Sequence, residues 1–339
     1  MKQYQLNEGP LLDAAGHLCE AGYATSLVKT YDRKAIRAGK SRIKEWDYYL
    51  IYNDSFGVAL TIADNSYMGL VSASFLDFEN RQETTVSPMF WLPFGRTGFP
   101  ASSKEGDVHK ALKGASFSYT HENGKRHLVA SIDSFADGLP FACDLLLSDE
   151  PEDSMVIATP FPEKKTAFYY NQKIIGMRAE GEVLYCGKRY FFEPKKSFGL
   201  LDWGRGVWTY ENTWYWGAAQ GAIAQHVVGF NIGYGFGDTT AASENILFYD
   251  GKCHKLDDVK FNIPASGYTD PWTFTSSDCR FEMEFTPIID RAAKIDVKLI
   301  VTDQHQVFGR MNGKAILDDG TVIEVKDMLC FAEDVHNKY

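Results

Sequence analysis

Three carboxylates, Asp202, Glu244 and Glu333, and two imidazoles, His305 and His336, are the side chains best placed to move protons, because the first of them opens the most aromatic segment of the chain. From Gly199 to Gly217 the sequence reads Gly-Leu-Leu-Asp-Trp-Gly-Arg-Gly-Val-Trp-Thr-Tyr-Glu-Asn-Thr-Trp-Tyr-Trp-Gly, and Trp203, Trp208, Trp214 and Trp216 are four of the seven tryptophans. An indole offers a broad apolar face and one N–H donor, so this segment is expected to panel a pocket for a flat or elongated ligand. A carboxyl group desolvated by such a wall has a raised pKa and can give up a proton near neutrality. Histidine titrates in the same range, so His305 or His336 is expected to orient or recycle that proton.

Around these residues lie candidate ligand contacts. Asp202 and Arg205 are within pairing reach, and Gly204 and Gly206 would let the backbone turn tightly beside them. A structural brace is the competing reading of that pair. Gly229-Phe-Asn-Ile-Gly-Tyr-Gly-Phe-Gly-Asp238 lacks the Gly-x-Gly-x-x-Gly spacing of a dinucleotide loop, and a hairpin follows it. A bent strand or the close approach of a ligand suits it better, with Asp238 as a contact. Thr302 to Arg310 follows an apolar strand from Ile295 to Val301. If that strand continues, His305, Val307 and Gly309 share one face, and Gln306, Phe308 and Arg310 the other. The stretch Asp327 to His336 reads as a terminal helix, which would put Glu333 and His336 on one side.

No Gly-x-Ser-x-Gly elbow, His-Glu-x-x-His helix or phosphate loop occurs, so neither a metal nor a cofactor is expected. Cys19, Cys143, Cys186, Cys253, Cys279 and Cys330 stand singly, as free thiols do in a reducing compartment.

The elements that must position these residues are strands. Tyr48–Tyr52, Asn53-Asp54 and Phe56–Ile62 read as strand, turn, strand. Asn123-Gly124, Asp250-Gly251 and Asp318-Asp319-Gly320 mark three further hairpins. Aromatic residues are 14% of the chain, which favours pleated surfaces over slender bundles. The expectation is an all-β protein of two antiparallel barrel or sandwich domains with few short helices, one of them a weakly amphipathic stretch from Leu11 to Glu20. For 339 residues two units are the default. Linker-like stretches at 148–153 and 192–196 bracket a boundary near residue 185, giving units 1–185 and 186–339, the second carrying the Asp-Trp-Gly-Arg-Gly and His-Gln-Val-Phe-Gly-Arg motifs. A net charge of -10 without a basic run argues against nucleic acid. No stretch has the length of a spanning helix and no apolar leader opens the chain, so a cytoplasmic location is expected.

Four segments together resemble the bacterial family known as domain of unknown function 2804: Gly199 to Gly206, Gly235 to Asp238, His305 to Arg310, and Glu333 to His336. The resemblance runs over essentially the whole chain and is densest after residue 195. It brings no established activity. At the level of fold the family is similar to two-domain lipocalin-like proteins, among them carotenoid hydratases and tocopherol cyclases, which implies an apolar ligand held within or between two β-barrels. Three functions fit: a non-redox, metal-independent hydratase, cyclase or isomerase acting on an apolar or amphipathic small molecule; a carrier of such a ligand; and a carbohydrate-active enzyme with two carboxylates beside stacking tryptophans.

Overall fold

The computed structural model describes residues 3–296 and 301–338. Val297, Lys298, Leu299 and Ile300, part of the apolar stretch expected as a strand, lie outside the described residues.

Among the described residues, alternating and apolar runs separated by turn residues become antiparallel strands, gathered into one sheet of fourteen and one of nine, beside a parallel pair of two-residue strands, Gly9–Pro10 and Lys29–Thr30. Asn123 (φ 53°) and Gly124 (φ 72°), like Asp250 (φ 47°) and Gly251 (φ 78°), adopt the left-handed pair that a two-residue hairpin demands. Helical structure among the described residues is limited to the 3-10 turns Arg33–Ala35 and Lys40–Arg42.

Two expected helices are absent. Leu11 to Glu20 forms a turn in which the Asp13 carboxylate accepts from the backbone N–H groups of Ala15 and His17. Asp327 to His336 lies within the strand Val322–Lys338, in the middle of the nine-stranded sheet. That strand is covered on both faces, so Met328 to Ala332 is continuously apolar and shows no alternation.

The first sheet orders its central strands as Met68–Asp77, Phe56–Asp64, Ile43–Tyr52, Phe198–Val207, Phe168–Tyr185 and Leu139–Ser148. In the second, Glu211–Ile223 pairs with Val322–Lys338, which pairs with Val301–Ile316 and so to Phe281–Asp296. The chain changes sheet between Val207 and Glu211, whereas residue 185 ends a strand inside the first sheet. The second sheet curls round its own core of Phe230, Trp272, Phe274, Phe281 and Phe285. Its other face presents Ala218, Phe308 and Phe331 to the first sheet, where they join the larger core. Alternation of side chains across each strand thus gives the second sheet two apolar faces, and polar residues on the face turned to the first sheet lie between two layers of strands.

Candidate functional site

A cavity of about 380 Å³ lies between the sheets, within the range of small-molecule pockets. Each wall is built on a row of register partners. In the first sheet Lys173, Asp202, Tyr48, Thr61 and Ser72 are opposite one another on five adjacent strands. In the second, Trp216, Glu333, Gln306 and Arg291 are opposite one another on four. All nine line the cavity. Gly233 extends the second row, and the Glu244 carboxylate occupies the place of its missing side chain: a Cβ there would come within 2.8 Å of Oε1.

The aromatic end of the cavity explains the Asp-Trp-Gly-Arg-Gly motif. Asp202, Gly204, Gly206 and Trp208 alternate onto the cavity face. The Trp46 indole lies flat over Gly204, where a Cβ would meet it at 1.9 Å, and Trp208 lies over Gly206. Trp46 stacks on Tyr169 with centroids 6.2 Å apart, and Trp208 and Trp214 both meet Phe236 edge-on. The two glycines therefore serve close ring packing in an extended strand, and the tight turn expected of them does not occur.

Trp203 and Arg205 point to the opposite face, away from the cavity. Residues three apart on a strand cannot pair, and Arg205 instead donates to Asp47 at 3.0 Å and stacks over Trp203 at 4.1 Å. Asp202 accepts from Trp46 Nε1 at 3.0 Å, from Asn171 Nδ2, and from Lys173 Nζ at 3.0 Å. The Lys173 ammonium is 3.9 Å from Glu244 and lies 3.9 Å from the Trp216 ring centroid. One buried cation thus serves two carboxylates.

Glu333 is 4% exposed, and among the described residues no cation is in hydrogen-bond contact with it. Trp214 Nε1 donates to its Oε2 at 3.3 Å and Gln306 Nε2 to its Oε1. Burial pushes its carboxyl up to about 7, against the opposing pull of those two donors and of Arg291 and Lys173. Burial also raises Glu244, with Lys173 pulling the other way. The Tyr48 phenol, raised by burial, remains a neutral hydroxyl that accepts from Gln306 at 3.3 Å.

The remaining nominated residues lie elsewhere. His305 faces the opposite side of its strand from Gln306, where it bonds Asp290 at 2.7 Å and stacks on Tyr268. His336 bonds Thr213 and lies 3.5 Å from Glu211 near the sheet surface. In a strand Glu333 and His336 project to opposite faces, which undoes the pairing that a helix would give. Asp238 caps its own loop by accepting from Thr240 N, and Arg310 pairs with Asp54 at 2.7 Å. Lys173, Gln306, Arg291, Tyr48 and Trp46 were not singled out from sequence. Lys173 sits in a polar run, Asn171-Gln172-Lys173, inside an otherwise apolar strand, which marks the run without giving its role. Among the described residues no group of three or more His, Cys, Asp or Glu side chains is arranged to hold a metal ion.

The family described as domain of unknown function (DUF2804) matches residues 3–339. The chain belongs to that family. No curated protein sequence matches this DUF2804 chain. Among solved structures it is similar to AttH from Nitrosomonas europaea, with a TM-score of 0.56 and 10% identity over 91% of this chain and 98% of that one. It is also similar to CghA with Sch210972 bound, with a TM-score of 0.53 and 10% identity over 98% and 97% of the two chains. Kievitone hydratase of Nectria haematococca aligns with a TM-score of 0.44 and 14% identity over 92% and 96%. The DUF2804 fold is all-β and lipocalin-like.

Proposed function

We propose that the cavity is the active site of a non-redox enzyme that protonates an apolar or amphipathic small molecule, in a hydration, cyclisation or isomerisation. The observation that carries this reading is Glu333, a carboxyl group buried among Trp214, Trp216 and Gln306 and pushed up to about 7. A group of that kind holds its proton below neutrality and can deliver it to an alkene or carbonyl carbon or oxygen. The cation that results lies among indole faces and beside Asp202 and Glu244, which stabilise it by charge. Water addition, ring closure or loss of a different proton then completes the reaction, and the released proton returns to Glu333.

A glycosidase reading draws less support. Asp202 is already saturated by three donors and shares Lys173 with Glu244, so neither carboxylate is free to act as a lone acid opposite a base.

The test begins with a search for a small molecule that co-purifies with the protein. Mass spectrometry of an extract of the purified protein identifies it. Incubation with fresh protein should alter that molecule or a close analogue, and Glu333→Gln should bind it without altering it. A captured molecule left unchanged by the unsubstituted protein over prolonged incubation would show a carrier in place of an enzyme.

A further inference from the structure

Arg291 closes the cavity on the side of the strand Gln82–Val86. Its Nη1 donates to Gln306 Oε1 at 2.7 Å and its Nε to Thr85 Oγ1 at 3.3 Å, so the side chain spans the two sheets. Both acceptors are neutral. Among the described residues no carboxylate forms an ion pair with it, whereas Arg205, Arg126, Arg280 and Arg310 hold Asp47, Glu150, Asp318 and Asp54. Glu83 lines the same side but is held by Thr85 Oγ1 at 2.7 Å. Lys173, the other cation of the cavity, is already shared between Asp202 and Glu244.

A guanidinium has five N–H donors in a rigid fork, and the two used here leave both hydrogens of Nη2 and one of Nη1 to meet a carboxylate. The lining changes character toward it. Thr61, Ser72, Thr85, Ser87 and Gln304 surround this side, while the indoles and Phe236 form the other.

We propose that Arg291 recognises a carboxylate, and that the ligand is an amphipathic monoanion with its apolar body against Trp46, Trp208, Trp214 and Phe236. This deepens the reading of the cavity as a small-molecule site and rests on it. The anionic head then lies at the hydroxyl-lined side, beyond the Glu333 row, and the reacting carbon lies between head and body, beside Glu333.

The experiment uses one fluorescent body in two charge states, 1-pyrenebutyrate and its methyl ester, titrated near pH 6, where the probe is ionised and Glu333 holds its proton. The protein should prefer the acid over the ester by about tenfold or more, the scale of a hydrogen-bonded charge pair. Arg291→Gln should erase that preference and leave ester affinity within about twofold, and Arg291→Lys should restore part of it. Trp214→Ala should weaken both probes alike, which locates them in this cavity. Equal affinity for acid and ester, or a loss in Arg291→Gln common to both, overturns the carboxylate assignment and leaves the cavity reading standing. Probes unaffected by Trp214→Ala, or no binding of either, overturn both.

Discussion

Glu333 and Asp202 are both buried acids in one cavity, yet their partners give them opposite surroundings. Asp202 accepts from an ammonium and two further donors; Glu333 accepts from neutral donors in a wall of rings, and burial raises its carboxyl. If Glu333 is the acid, turnover should fall as pH rises through about 7, and Glu333→Gln should lose on the order of 10²–10⁴ in rate. The same shift governs stability. Its folded value is raised above the unfolded one, so the contribution is fully present below about 4.5 and lost as pH rises through about 7. Relative to Glu333→Gln, the unsubstituted protein should therefore lose about 3 kcal/mol between pH 4.5 and 8, read from urea midpoints across pH. Asp202→Asn should instead lower the melting midpoint at every neutral pH, because it strips Lys173 of its closest partner, and breaking a buried pair costs on the order of 3–5 kcal/mol. A midpoint equal to that of a surface substitution would mean that Glu244 alone suffices for Lys173. Sequence exposed the acids because residue type and tryptophan density are local properties. It hid Lys173 and Arg291, whose meaning comes from what lies across the gap.

At the scale of elements, strand period decided which of the nominated side chains face the cavity. The hairpins were legible because Asn-Gly and Asp-Gly carry their own backbone preference. Alternation through Thr302 to Arg310 was legible too, and it separates Gln306 in the cavity from His305 outside it. The strand Val322–Lys338 was not, since burial on both faces removes the alternation that marks a strand. With the period went the pairing of Glu333 and His336. Gly204 gives the sharpest test at this scale. A methyl at 1.9 Å from the Trp46 ring must displace the indole, so Gly204→Ala should lower stability by about 1–3 kcal/mol and change ligand affinity together with near-ultraviolet dichroism. Unaltered dichroism would show that the ring does not rest on that strand.

Across the whole molecule, the all-β class was visible from the spacing of turn residues, while the placing of the site between the sheets was not. Tyr48 and Glu333 are brought to one cavity from opposite ends of the chain, and no local pattern records that. The thiols report on the assembled state. All six are free; Cys143 and Cys330 are buried, and burial pushes both thiols up, Cys143 to about 12. A thiol reagent should label the exposed Cys19 and Cys279 in the native protein, and Cys143 and Cys330 only as fast as the sheets unfold. Rapid native labelling of Cys330 would mean that the second sheet opens independently.

Because each wall of the cavity is a row of register partners on neighbouring strands, strand alignment sets the spacing of the polar groups that face it. Removing one residue from the turn Asp318 to Gly320 would leave every cavity residue in the chain, yet any resulting slip of Val322–Lys338 would carry Ala332 or Asp334 to the place opposite Gln306. A one-residue slip reverses the faces of a strand, so such a deletion should damage the site more than replacing Glu333 itself, unless the shortened turn absorbs the loss. Insertions and deletions in that hairpin should accordingly be far less tolerated than substitutions at the same exposed positions.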